Sequence, residues 1–255
     1  MARPTLDEYL ELCRSVPGWL HRSDAVVLAA LSGLQVGLGV AADLLEIGVY
    51  HGRSAILFGH FIQAGERLFV CDPFEDQPVD AAPGRRQYGG LTRGAFEARY
   101  REHHAELPVV LACRSTELLP RELVRPPFRL VHVDGSHEPD VVAQDVATAR
   151  HLLVPGGVAV FEDDHGVHVP RIPPRVRELF AAGALTPLCI TPGKTYALAG
   201  PDALGLAAAL EAWAAASGEV RPRRAQVAGR ETLVLYPLPE RAGPWTGLDR
   251  KLAEV

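Results

Sequence analysis

The sequence predicts an α/β protein with a mostly parallel sheet wrapped by helices, and two observations predict it. Short apolar runs alternate with helical patterns between residues 43 and 182, the order that arises when each parallel strand returns to its neighbour through a helix. At the first strand-to-helix junction, LLEIGVYHGRSAILF, two glycines and a carboxylate interrupt apolar sequence, at the edge where open parallel sheets hold ligands.

The elements follow in order. Helical patterns at 6–14 and 24–36 open the chain, with Val16-Pro17-Gly18-Trp19 as the turn between them. Then come strand 43–47, helix 53–63, strand 67–71, helix 93–105, strands 108–112 and 128–133, helix 139–153, strand 157–161 and helix 174–182. Runs 185–190 and 195–199 are separated only by Thr191-Pro192-Gly193-Lys194, too short for a crossover helix, so they pair antiparallel. A helix at 202–217, a basic turn carrying Arg221, Arg223 and Arg224, a strand-like run at 231–236 and a Pro-rich tail complete the chain. The expected organisation is a helical N-terminal cap (1–40), a core (41–200) and a C-terminal extension packed on it (201–255). Two polar loops, 73–92 and 163–174, follow strands and are lid candidates, and their Arg85, Arg86, Tyr88 and Arg171 would suit a sugar, a phenol or an anionic carrier; Trp19 and Tyr88 read as core or surface aromatics, with closure over a ligand as the alternative.

Composition narrows the function classes. With 47% hydrophobic and 22% charged residues in 255, the chain is of ordinary globular make-up. A formal charge of −5 offers no field for phosphate backbones, so nucleic acid is not expected as a partner. Cys13, Cys71, Cys113 and Cys189 lie far apart without metal-site spacing, which reads as free thiols in a reducing cytoplasm. The N-terminus, MARPTLDEYLELC, lacks the basic and apolar regions of a secretion signal. Residues 25–42 carry no charge, but the run is short and contains Ser32, Gln35 and three glycines, so it reads as a buried helix and a loop, not a membrane span.

Glycine at the first junction permits turn dihedrals and close backbone approach. A dinucleotide site would need a second glycine where Tyr50 stands, so a pyrophosphate is disfavoured. Asp72 ends the next strand about twenty residues past Gly52, where an acid takes ribose hydroxyls. Alternatively, the glycines make only a tight turn and Asp72 caps a loop. Further on, FRLVHVDGSH ends a strand in Asp134 with His137 at the next helix entrance, and LLVPGGVAVFEDD ends its neighbour in Glu162, Asp163 and Asp164. Acids converging without a counter-charge repel one another, and a hard divalent ion with oxygen ligands would relieve this. Helix capping and solvated loop acids are the alternatives.

E-I-G-x-x-x-G-x-S, the strand-end Asp72, VDGSH and LLVPGGVAVFEDD, in this order, resemble the class I S-adenosylmethionine-dependent methyltransferases, from about residue 19 to residue 199. The resemblance implies a Rossmann-like seven-stranded sheet and a methyl donor touching Glu46, Gly48, Tyr50, Gly52, Ser54, Asp72, Ser115 and Asp134. VDGSH with a downstream DD is similar to metal-dependent O-methyltransferases of small molecules, including sugars of macrolide natural products. It implies Mg²⁺ on Asp134, Asp163 and Asp164, His137 as base beside Asp134, and a small-molecule hydroxyl as acceptor. A cytoplasmic homo-oligomer is expected. Rival readings are a metal-independent N- or O-methyltransferase, a nicotinamide oxidoreductase and a non-catalytic S-adenosylmethionine-binding module. His132, inside a strand, reads as a core residue.

Overall fold

The computed structural model describes residues 5–12, 15–18, 20–76, 91–136, 138–162 and 174–238. In chain order these form α1 (Leu6–Leu12), α2 (Arg22–Gly37), β1 (Asp43–Ile47), α3 (Arg53–Gly59), β2 (Leu68–Cys71), α4 (Arg93–Arg101), β3 (Val109–Leu111), β4 (Phe128–Val133), α5 (Pro139–Leu152), β5 (Leu153–Glu162), α6 (Pro174–Ala181), β6 (Thr186–Ile190), β7 (Lys194–Leu198), α7 (Leu206–Ser217), β8 (Val220–Val227) and β9 (Arg230–Pro237).

The strands make one sheet in the order β3-β2-β1-β4-β5-β7-β6-β9-β8. Strands β3 to β5 in that order are parallel, while β7 runs antiparallel to both β5 and β6. The expected seven-stranded sheet is therefore corrected to nine strands among the described residues. The run at 231–236 joins the sheet within β9, and the segment read as a basic turn is strand β8. Arg221, Arg223 and Arg224 hid it, because an outer strand carries charge on its free side instead of an apolar face.

Strands buried on both faces are apolar almost throughout, and β1, β2 and β4 fit this. Leu44, Val70, Leu130, Val158 and Val160 face one core, with Leu28 and Leu31 of α2 and Ile56 of α3. Leu45, Ile47, Val131, Val133, Ala159 and Phe161 face the other, with Val146 and Ala149 of α5 and Phe180 of α6. Residues 25–37 belong to α2, which packs against α1 and α7. Among the described residues no helix is long and apolar enough to cross a membrane.

A polar knot ties α2 to the sheet. Arg129, with no exposed surface, pairs with Glu66 through Nε and Nη2 at 2.8 and 2.9 Å. Its Nη1 donates to Ser32 Oγ and Gln35 Oε1, and Gln35 Nε2 donates to the carbonyls of Arg129 and Gly156. The polar residues that spoke against a membrane span thus meet a buried guanidinium. Helix α3 stops at Gly59, short of the expected residue 63, where α4 crosses: a β carbon there would lie 2.4 Å from Tyr100 Oη. Cys71, Cys113 and Cys189 are free and buried.

Candidate functional site

The sheet order reverses between β1 and β4: chain continues from β1 outward to β2 and β3, then returns to β4 on the other side. Such switch points open a crevice beyond the strand ends, and here the glycine turn and the DGSH segment meet. Gly48, with φ of +84°, lies against the backbone of Asp134 and Gly135; a β carbon on it would be 2.0 Å from the Asp134 carbonyl oxygen. Gly52, with φ of +89°, precedes α3 and faces the Phe96 ring, 2.8 Å from where its β carbon would be. Both glycines are thus required by the protein's own packing. Tyr50 also takes a positive φ, of 50°.

Asp72, 4% exposed, holds this turn. Its Oδ2 accepts from the amides of Val49 and Tyr50 and its Oδ1 from that of Phe74. The loop-capping alternative is therefore realised.

Glu46 and His132 are register partners on β1 and β4, and both are fully buried. His132 Nδ1 lies 2.9 Å from Glu46 Oε1, and its Nε2 lies 3.5 Å from Asp134 Oδ2. One imidazole therefore stands between the two acids. Burial, reinforced by the nearby Lys194 ammonium, pushes His132 down to about 3, so the ring is neutral. Burial raises Glu46 well above the usual carboxylate range, with Ser54 in the first turn of α3 partly offsetting it. Glu46 Oε2 has no hydrogen-bond partner in ordinary geometry among the described residues, with Ser54 beside the carboxyl. An orphaned buried acceptor costs free energy unless a ligand supplies a donor, and the ammonium of an amino acid moiety fits that oxygen.

Asp134 keeps 23% of its side-chain surface and borders the crevice. Its Oδ2 accepts from Lys194 Nζ at 3.1 Å, a lysine only 1% exposed. Burial pushes the Asp134 carboxyl up to about 6 against the pull of that ammonium, and Glu162 adds to the rise. Lys194 comes from the start of β7, opposite Glu162 in the β5–β7 register. Burial alone would depress its pKa; Asp134, Glu162 and Asp24 more than reverse this, so it is charged. The premise of acids without a counter-charge does not hold at Asp134.

Ser115 opens a short 3₁₀ turn just after β3 and faces the buried Asp145 of α5. His137, Asp163 and Asp164, expected as base and metal ligands, lie outside the described residues, as do Trp19, Arg85, Arg86, Tyr88 and Arg171. Among the described residues no group of three or more His, Cys, Asp or Glu side chains has the arrangement of a metal site. Sequence reasoning missed His132 and Lys194. Strand register, which brings the one to Glu46 and the other to Glu162, was the missing signal.

Residues 45–164 match the model of a family described as a methyltransferase domain. No curated protein matches the chain. Among solved structures, the O-methyltransferase NovP is 17% identical, with 70% of this chain and 81% of that one covered at a TM-score of 0.52. TomG from Streptomyces achromogenes, an O-methyltransferase involved in tomaymycin synthesis and solved with SAM, is 20% identical over 77% of this chain and 89% of its own, at 0.49. CalS11, a TDP-rhamnose 3'-O-methyltransferase of calicheamicin biosynthesis, is 18% identical over 77% and 93%, at 0.47.

Proposed function

We propose that this chain is a class I S-adenosylmethionine-dependent methyltransferase, with the methyltransferase-domain match at residues 45–164 as support, and that it methylates a hydroxyl of a small molecule. One observation carries the proposal: Glu46 and Asp134 stand on either side of the His132 ring, at 2.9 and 3.5 Å. The end of β1, where the resemblance puts the donor's amino acid moiety, is thus one side chain away from an acid that borders the crevice.

The donor supplies a methyl group on a positively charged sulfur, so the acceptor oxygen needs alignment and relief of its proton. In this reading Glu46, with its orphaned Oε2, takes the donor's ammonium. Asp72, whose oxygens hold the turn, borders the ribose. Gly48, Tyr50, Gly52 and Ser54 shape the wall between them, and Ser115 borders the adenine. Asp134 positions the acceptor hydroxyl from the opposite side, and His137, three residues further on, receives its proton. A sugar or other natural-product moiety would suit this arrangement.

Mg²⁺ on Asp134, Asp163 and Asp164 is the finer expectation from the resemblance. The described part of the site does not fit it, because Asp134 Oδ2 already receives an ammonium. Lys194 therefore favours a second reading, in which O-methylation proceeds without a metal. A soluble monomeric or oligomeric state is not needed by either reading.

The test is incubation with methyl-labelled S-adenosylmethionine and an acceptor panel of nucleotide-linked deoxysugars, phenols and amines of similar size. Label recovered as a methyl ether is the expected outcome. Label on amines alone would contradict O-methylation.

A further inference from the structure

We propose that Lys194 is the resident cation of the carboxylate cluster where β4 and β5 end, and that no divalent ion from solution binds there while it is in place. This deepens the proposed function and rests on reading that end of the sheet as the acceptor side.

Three carboxylates act on one ammonium. Asp134 accepts from Nζ at 3.1 Å, Glu162 faces Lys194 across the β5–β7 register, and Asp24 approaches from the first turn of α2. Gly193 makes the last approach possible: a β carbon on it would sit 2.7 Å from Asp24 Oδ2 and 3.0 Å from the His21 ring. The hairpin tip is thus pressed onto α2 by a residue with no side chain.

The lysine is also fixed at its root. Its amide donates to Thr191 Oγ1 at 3.2 Å, and its carbonyl accepts from the Thr191 amide and hydroxyl at 2.9 and 3.1 Å. With the side chain 1% exposed, the ammonium has no solvated position to retreat to. A divalent ion binds a carboxylate oxygen at about 2.1 Å. On Asp134 Oδ2 it would stand no more than about 5 Å from Nζ, where like charges away from bulk water repel strongly. A buried ammonium without its acids would be costly in turn, so the cluster and Lys194 require each other. In this arrangement Lys194 is a positioning residue: it holds the Asp134 carboxylate toward the crevice without touching the acceptor.

The experiment is Mn²⁺ titration of the full chain, stripped with EDTA and dialysed, followed by electron paramagnetic resonance. Wild type, Lys194→Gln and Lys194→Arg are compared, with and without S-adenosylhomocysteine. Wild type and Lys194→Arg are expected to bind no stoichiometric Mn²⁺, and Lys194→Gln to gain affinity by about tenfold or more. One equivalent of Mn²⁺ on the wild type overturns the proposal. So does a Lys194→Gln chain with native circular dichroism that gains none, and if that variant does not fold, the wild-type titration decides alone. Calorimetry with S-adenosylhomocysteine on the same samples separates the two claims. Failure to bind it refutes the donor site and leaves the Mn²⁺ result standing.

Discussion

Gly48 and Asp134 are in backbone contact where the sheet order reverses between β1 and β4: a β carbon on Gly48 would lie 2.0 Å from the Asp134 carbonyl oxygen. The close approach joins the glycine turn after β1 to the acid end of β4, and the Asp134 amide donates to the Ile47 carbonyl at 2.8 Å beside it. Gly48→Ala therefore combines a forced backbone shift with a positive φ of 84°. A loss of about 3 kcal/mol or more is expected in urea unfolding. Gly39→Ala is the control: its φ is +76° but nothing lies within 4 Å of the added carbon, so it is expected to cost only about 1 kcal/mol.

Removing Glu66 strands a guanidinium. Arg129 has no exposed surface and Glu66 only 4%, so Glu66→Ala leaves an uncompensated buried charge. A stability loss of about 3–5 kcal/mol is expected by denaturant unfolding. The double replacement Arg129→Met with Glu66→Leu should recover most of it, since exchanging a whole buried pair for apolar residues is often neutral.

Asp145 makes stability depend on pH. It is fully buried, and neither oxygen has a hydrogen-bond partner in ordinary geometry among the described residues. Burial pushes it from 3.8 up to about 6, with Ser115 only partly offsetting. Between those values the folded protein holds a proton that the unfolded chain has released. Stability from this group therefore falls as pH rises through the window and stays low above it. Asp145→Asn should raise stability above that window by about 2 kcal/mol and change little below it. Thermal unfolding of both proteins across this range is the check; an equal effect at both ends would contradict it.

The alternation of apolar runs with helices was enough to place β1 to β7, because β1, β2 and β4 are apolar and buried almost throughout and the β6–β7 connection is too short for a helix. Strand β8 escaped because Arg221, Arg223 and Arg224 resemble a solvated turn when its partner β9 is not known. At the site, motif residues were legible one at a time: Glu46, Gly48 and Asp134 each end or follow an apolar run. Their partners were not. His132 looks like core until register sets it opposite Glu46, and Lys194 looks like hairpin punctuation until β7 lies against β5. A counter-charge supplied from sixty residues away leaves no local trace in sequence.

Donor binding at the end of β1 is the claim on which the functional account stands, and calorimetric titration with S-adenosylhomocysteine and, separately, NADH tests it most directly. The account predicts one S-adenosylhomocysteine per chain, no binding of NADH, and affinity weakened about tenfold or more in Glu46→Ala. NADH binding in place of S-adenosylhomocysteine, or a Glu46→Ala chain that binds the nucleoside as tightly as wild type, would contradict it.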